Sequence, residues 1–89
     1  MEYFVYILKS TVIDRYYIGQ TTDLQKRLKR HNFGDVFSTK PYRPWKMIYS
    51  EQYHSRSEAM KREQFLKSPD GWSELQAIKK KFGQDDLPG

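Results

Sequence analysis

The sequence predicts a small α+β domain with the element order ββαβαα, and three observations support this fold class. Residues 3–8 and 15–19 are two short segments rich in aromatic and β-branched residues, separated by a polar turn. Residues 46–53 form a third such segment. Residue patterns typical of helix N-termini come before and after this third segment. The chain has 89 residues, which is the size of one domain.

The charge balance favours a polyanionic partner. Sixteen Lys and Arg residues against eleven Asp and Glu give a net charge of +5 and a pI near 9.5. The absence of cysteine excludes disulfides and thiolate metal sites. No apolar run approaches the ~20 residues needed to span a bilayer. We therefore expect a soluble, cytoplasmic protein with no membrane partner.

The strand segments predict a hairpin followed by a third strand. Residues 3–8 carry apolar side chains on both alternating faces, which is typical of a central strand. A turn centred near residues 11 and 12 would place Tyr6 directly opposite Tyr17. Both hydroxyl groups would then leave the sheet on the same face.

Capping patterns predict where the helices begin and end. Thr22 precedes Gln25 by three residues, and that first helix should end near Asn32, with Gly34 beyond it. Ser55 precedes Glu58 by the same spacing and opens a second helix, which runs to about residue 67. A break at residues 68–71 leads to a third helix over 72–82. The domain should occupy residues 1–83, with 84–89 as a flexible tail.

An acidic residue lies on the apolar face of the second helix. At 100° per residue, Glu63 falls between Ala59 and Met60 in the apolar stripe, whereas Glu58, Lys61 and Gln64 point away. A buried carboxylate without a partner is unfavourable, so Glu63 should be paired, protonated or bound to a cation. A structural salt bridge, for example to an arginine, and a functional role remain equal alternatives on this evidence.

The first helix has two polar residues on its inward face. Arg27 and His31 share the face of Leu24 and Leu28 and are four residues apart. Arg27 lying along the core and His31 at the helix end would explain this without any function. Together with Tyr6, Tyr17 and Glu63, however, they form a set of side chains that can converge on one pocket.

These residues resemble the motifs of GIY-YIG nucleases. The matching segments are Phe4-Val5-Tyr6, Tyr17-Ile18-Gly19, Thr21 to Leu24 with Arg27-Leu28 and His31-Asn32, and Ser57-Glu58-Ala59 with Arg62-Glu63 and Leu66-Lys67. The similarity covers residues 3–82 and is closest to small stand-alone bacterial proteins related to the N-terminal nuclease module of the bacterial ABC excinuclease. It implies a three-stranded antiparallel sheet of order 2-1-3 flanked by three helices.

The resemblance also implies a site and a chemistry. Glu63 would hold one divalent ion, Mg²⁺ or Mn²⁺, and Arg27 would bind the phosphate of a nucleic acid. Tyr6, supported by Tyr17, is one candidate general base, and His31 is the other. Phe4 replaces the family's usual glycine, and Gln20 stands where several active relatives carry a lysine.

The expected activity is hydrolysis of nucleic-acid phosphodiester bonds, of the DNA endonuclease type and directed by structure rather than sequence. The expected partner is DNA in preference to RNA, bound by a monomer or weak homodimer without an organic cofactor. Candidate backbone contacts are Lys26, Lys29, Arg30, Lys40 and Arg43. One alternative is a binding module of the same fold without turnover. A second is a structural or protein-interaction domain in which Glu63 and Arg27 pair with each other.

Overall fold

The three strands and three helices follow one another in the predicted order. The computed structural model describes residues 1–83, so the predicted tail lies outside the described residues. The elements are β1 (Tyr3–Ser10), β2 (Tyr16–Thr21), α1 (Leu24–Phe33), β3 (Trp45–Tyr53), α2 (Arg56–Lys67) and α3 (Trp72–Phe82). Short 3₁₀ turns lie at Lys40–Tyr42 and Pro69–Gly71. Within residues 1–83, the helices are too short or too polar to cross a membrane.

Strand β1 is the centre of the sheet. It pairs antiparallel with β2 on one edge and with β3 on the other, so the strand order is β2-β1-β3. The side chains from Val5 to Leu8 are fully buried, because helices or loops cover both faces of this strand. The predicted central strand and the sheet order are confirmed.

The predicted register of the hairpin is wrong by two residues. Tyr6 pairs with Gly19, and Tyr17 pairs with Leu8. The turn is centred between residues 12 and 13 rather than between 11 and 12, since Lys9 pairs with Tyr16. A shift of two residues keeps every side chain on its original face, because side chains alternate with a period of two. Tyr6 and Tyr17 are therefore diagonal neighbours on the same face.

Each face of the sheet has its own hydrophobic cluster. On one face, Val5, Ile7 and Ile18 pack against three buried residues of α2 and α3, which are Ala59, Leu66 and Ile78. On the other face, a second cluster contains Tyr6, Leu8 and Trp45, with Tyr17, Leu24, Leu28, Tyr42 and Met47 packed against it. The sheet therefore separates α1 from α2 and α3.

The ends of α1 show one correction and one confirmation. Asp23, not Thr22, is the N-cap, and its carboxylate accepts a hydrogen bond from the Lys26 amide at 3.1 Å. Strand β2 continues to Thr21, which leaves Asp23 as the residue in position to cap. Gly34 ends the helix at φ 96°, a left-handed conformation that glycine adopts without strain.

The predicted N-terminal cap of α2 is confirmed, since the hydroxyl of Ser55 accepts a hydrogen bond from the Glu58 amide at 3.2 Å.

Candidate active site

The centre of the candidate site is the hydroxyl group of Tyr6. Its oxygen lies 2.9 Å from Nε2 of His31, and Nε of Arg27 donates a hydrogen bond to it at 3.2 Å. Tyr6 and His31 are both fully buried. The structure therefore brings three of the predicted site residues together, one from β1 and two from α1.

A chain of hydrogen bonds determines which nitrogen of His31 carries the proton. The hydroxyl of Thr39 donates to the carbonyl oxygen of Val36 at 3.3 Å and lies 2.8 Å from Nδ1 of His31. Arg27 can only donate to the phenol oxygen of Tyr6, so the hydroxyl hydrogen of Tyr6 is directed at Nε2 of His31, and the proton of neutral His31 is on Nδ1, facing Thr39. Nε2 is then an acceptor, and Tyr6 donates its hydroxyl hydrogen to it.

Tyr17 completes the aromatic part of the site. Its ring centroid lies 4.9 Å from that of His31 and 6.2 Å from that of Tyr6. Tyr17 is partly exposed, whereas Tyr6 and His31 are not. The hydrogen bond to Tyr6 raises the pKa of Arg27, and the phenol of Tyr17 acts in the same direction. The guanidinium is thus close to both phenols.

The glycine of the second motif makes room for Tyr6. A Cβ atom at Gly19 would lie 2.6 Å from the hydroxyl oxygen of Tyr6 and 2.8 Å from its Cζ. Gly19 is the cross-strand partner of Tyr6, so the ring of Tyr6 lies across the backbone of Gly19. Any side chain at residue 19 would push the phenol away from Arg27 and His31.

Glu63 approaches from the helix on the opposite face of the sheet. Its side chain is 17% exposed and forms an ion pair with Lys67, whose Nζ lies 2.7 Å from Oε2 of Glu63. Burial is the main reason why the pKa of Tyr6 is raised, and the negative charge of Glu63 adds a smaller effect in the same direction. In the structure this carboxylate is therefore paired with a lysine of its own helix rather than with Arg27.

Residues 2–72 match the family of GIY-YIG catalytic domains. The chain belongs to the GIY-YIG family. It is 36% identical over 81 residues to UPF0213 proteins of Staphylococcus aureus strains Mu3 and Mu50, covering 90% of this chain and 98% of theirs. It also resembles the solution NMR structure of a UPF0213 protein from Bacillus halodurans. That match has a TM-score of 0.56 and 29% identity, and it covers 94% of this chain and 89% of the other. These relatives are small bacterial GIY-YIG proteins.

The two candidate bases of this GIY-YIG domain differ in what they can reach. Burial lowers the pKa of His31 to about 4, with the charges of Arg27 and Arg30 acting in the same direction. Both ring nitrogens of His31 are engaged, Nε2 by Tyr6 and Nδ1 by Thr39. His31 therefore does not contact a substrate water directly but accepts from Tyr6. Burial also raises the pKa of Tyr6 to about 12, against the hydrogen bond from Arg27.

The pKa of His31 predicts a loss of stability in mild acid. An unfolded histidine titrates near 6.5, so between that pH and about 4 the unfolded chain binds a proton that the folded protein does not. The free energy of unfolding should fall by roughly 3 kcal/mol across this window. His31→Gln retains an acceptor and a donor without titrating, so its stability should change little between pH 6.5 and 4.5. Urea unfolding at a series of pH values measures this.

The other histidine provides the control for that experiment. His54 is exposed, and His54→Gln should retain the wild-type dependence on pH. The window above pH 4.5 avoids Glu51, whose depressed pKa affects stability only below the ordinary value for a carboxyl group. Equal slopes for wild type and His31→Gln would show that His31 is not responsible.

The predicted basic contacts fall into two groups. Lys26 and Arg30 line a groove of about 210 Å³ with Arg27 at the start of α1, and Lys29 is exposed on the same helix. Lys40 and Arg43 lie at the other end of α1. The guanidinium of Arg43 donates to the carbonyl oxygens of Lys40 and Phe33, at 2.9 and 3.1 Å, and so caps the helix end. Lys26 and Arg30 are thus the basic residues beside the candidate site.

Two residues that hold the site in place were not predicted from the sequence. Thr39 is buried, bonds to His31 and accepts the indole hydrogen of Trp45 through its carbonyl oxygen at 2.8 Å. The amide side chain of Asn32 binds both backbone groups of Trp45, at 2.6 and 3.0 Å. These bonds join the end of α1 to the start of β3. A threonine in a loop carries no periodic signal that would have revealed this role.

An ion network on the α2 face was also missed. Glu51 accepts two hydrogen bonds from Arg62 at 2.8 Å and one each from Tyr49 and Tyr53, at 2.5 and 2.6 Å. Arg62 also pairs with Glu74. Burial alone would raise the pKa of Glu51, but these bonds outweigh it and hold that pKa at about 2. The sequence did contain a signal for this network, because Glu51 lies between Tyr49 and Tyr53 on one face of β3.

Glu63 fits a divalent metal only as a single ligand. The described residues 1–83 contain no group of three or more histidine, cysteine or acidic side chains that would form a complete site. A single carboxylate suits Mg²⁺ or Mn²⁺, which retain several waters and often take phosphate oxygens as further ligands. Glu63 provides this hard oxygen donor, so the donor set fits an ion that is completed by the substrate.

Proposed function

We propose that the protein hydrolyses phosphodiester bonds within DNA in a metal-dependent reaction directed by the structure of the nucleic acid. The observation that carries this proposal is the buried phenol of Tyr6, held between a guanidinium and a neutral imidazole. A tyrosine that serves only for packing does not need both partners. Membership of the GIY-YIG family supports the same reaction class.

In the proposed mechanism, Tyr6 transfers protons rather than acting as a preformed base. A pKa of about 12 keeps the phenol protonated at neutral pH, so it cannot act as a tyrosinate beforehand. As an attacking water forms its bond to phosphorus and gives its proton to Tyr6, the phenol passes its own proton to Nε2 of His31. The bond between phosphorus and the leaving oxygen breaks, and that oxygen takes a proton from solvent. The imidazolium that results keeps its Nδ1 hydrogen bond to Thr39.

Arg27 serves both Tyr6 and the substrate in this mechanism. Its bond to Tyr6 uses one of the five N–H donors of a guanidinium, so donors remain for a phosphate oxygen. That contact would strengthen as charge develops on the phosphate. A divalent ion at Glu63 would supply Lewis-acid stabilisation of the same charge.

The exposed cations of α1 would bind the backbone of the nucleic acid. Lys26 and Arg30 flank Arg27 in one groove, which continues the positive charge beyond the reacting phosphate. Phosphate contacts of this kind position a nucleic acid without reading its sequence. Binding should therefore weaken steeply as the salt concentration rises.

A binding module without turnover is the second candidate, and one observation favours it. The pKa of Tyr6 is raised rather than lowered, so this phenol is protonated at neutral pH and is not an activated base in the free protein. Gln20 also follows the second motif, where a lysine would add positive charge. In this case nucleic acid would bind and remain intact.

A cleavage assay with a parallel binding assay distinguishes the two functions. Labelled single-stranded, duplex and branched DNA, and RNA, are incubated with the protein in Mn²⁺ or in EDTA. We expect cleavage of DNA in Mn²⁺ and none in EDTA, because the metal contributes several kcal/mol to stabilising the transition state. Binding of every substrate without cleavage in Mn²⁺ would establish the binding module instead.

A further inference from the structure

Trp72 is an exposed tryptophan at the start of α3. It is 62% exposed, whereas Trp45, the other tryptophan, is 4% exposed and bonded through its indole nitrogen to Thr39. Trp72 lines a groove of about 520 Å³ together with Lys67, Ser68 and Pro69, which we call the Trp72 groove. An indole in an open groove offers a flat apolar face to a planar ring.

The Trp72 groove adjoins Glu63, the candidate metal ligand, through Lys67. The Nζ atom of Lys67 lies 2.7 Å from Oε2 of Glu63, and the same side chain lines the groove. Lys67 is 49% exposed, so its ammonium is accessible to an anion that reaches this point. A phosphate near Glu63 would thus lie next to a cation, with an aromatic surface beyond it.

The connection between α2 and α3 holds the groove in a fixed shape. The turn Pro69–Gly71 packs so closely on α2 that a Cβ atom at Gly71 would lie 2.0 Å from the carbonyl oxygen of Phe65. Pro69 further restricts the backbone at the start of this turn. Trp72 is therefore held relative to Lys67 before any ligand binds, which reduces the entropy lost on binding.

We propose that the Trp72 groove is a nucleotide subsite of the nuclease, in which a nucleobase stacks on Trp72 and Lys67 binds the adjoining phosphate. This inference rests on the proposed function. A base can present its face to an indole only when that face is free of its own stacking neighbour. The subsite therefore selects nucleic acid with an unpaired nucleotide beside the phosphate that is cleaved.

Tryptophan fluorescence tests the subsite without any turnover. In EDTA, a short single-stranded oligonucleotide should quench the emission of wild-type protein, because Trp72 is exposed and Trp45 is not. Trp72→Ala should lose this quenching and bind the oligonucleotide roughly tenfold or more weakly. Trp72→Phe should restore most of the affinity, because phenylalanine also stacks. A blunt-ended hairpin duplex should bind Trp72→Ala and wild type equally.

Two matched variants serve as controls for the subsite. Phe37 is another strongly exposed aromatic residue, and Phe37→Ala should change the affinity less than twofold. Lys67→Gln should weaken binding, whereas Lys61→Gln, an exposed lysine of the same helix, should not. Equal affinity of Trp72→Ala and wild type for the single strand would overturn the subsite. The subsite would also be overturned if Phe37→Ala lost as much affinity as Trp72→Ala, or if Trp72→Ala lost as much affinity for the duplex as for the single strand.

These outcomes separate the subsite from the proposed function. If wild type cleaves DNA in Mn²⁺ but Trp72→Ala binds and quenches normally, only the subsite is wrong. If wild type binds no oligonucleotide at low salt, both the proposed function and the subsite are wrong. Quenching that depends on Trp72, without cleavage in Mn²⁺, would establish the subsite in a protein that binds but does not cut.

Discussion

Glu63→Gln should reduce the rate of DNA cleavage in Mn²⁺ by about a thousandfold, without unfolding the protein. The amide retains the shape of the side chain but loses the negative charge that would bind the ion. Lewis-acid stabilisation is worth several kcal/mol, and about 4 kcal/mol corresponds to a factor of a thousand. The partly exposed ion pair with Lys67 adds little stability, so the melting temperature should change little.

Glu58→Gln is the matched control for Glu63→Gln. Glu58 is exposed on the same helix, and its carboxylate accepts a hydrogen bond from the hydroxyl of Ser55 at 2.9 Å. Loss of this hydrogen bond should remove only part of the stabilisation that the N-terminal cap gives to α2. The rate of cleavage should be unchanged. Initial rates under saturating Mn²⁺ provide the comparison. Wild-type cleavage by Glu63→Gln would exclude Glu63 as the metal ligand.

Arg62→Met should destabilise the fold by about 3–5 kcal/mol, because it leaves the carboxylate of Glu51 without its charged partner. Glu51 is 15% exposed and receives both hydrogen bonds of a bidentate contact from Arg62. For a domain of this size, such a loss lowers the melting temperature by about 15–30 °C. Urea unfolding and thermal melting monitored by circular dichroism measure the effect.

A second variant separates the lost ion pair from lost packing. In Glu51→Met combined with Arg62→Met, no buried charge remains, and most of the stability should return. Lys61→Met, at an exposed neighbouring residue, should change the free energy of unfolding by less than about 0.5 kcal/mol. A cost below about 1 kcal/mol for Arg62→Met alone would mean that the pair behaves as an ordinary surface salt bridge.

The elements of the fold could be predicted because their signals are local. The two-sided apolar pattern of β1 identified a central strand, and the spacing of Ser55 and Glu58 identified the start of α2. The inward positions of Arg27 and Glu63 followed from helical periodicity alone. These features depend on residues a few positions apart, so they are encoded in short segments of the sequence.

The details of the site could not be predicted in the same way. The choice between Tyr6 and His31 depended on whether His31 is buried and on what its second nitrogen contacts. Its partner Thr39 comes from a loop, and loops have no periodicity from which a contact can be inferred. The partner of Glu63 was also not predicted: the sequence analysis considered an arginine, and Arg27 of α1 in one alternative, whereas the carboxylate pairs with Lys67 of its own helix.

The sequence by itself determined the order of elements, the face on which each site residue lies and the family motifs that those residues form. Only the tertiary structure decided that Tyr6 lies across Gly19, donates to a neutral His31 and has its pKa raised mainly by burial. The physical reason is the distance along the chain between the residues that interact. Periodicity and capping act within a few residues, whereas a pKa or a hydrogen-bond partner depends on side chains that only folding brings together.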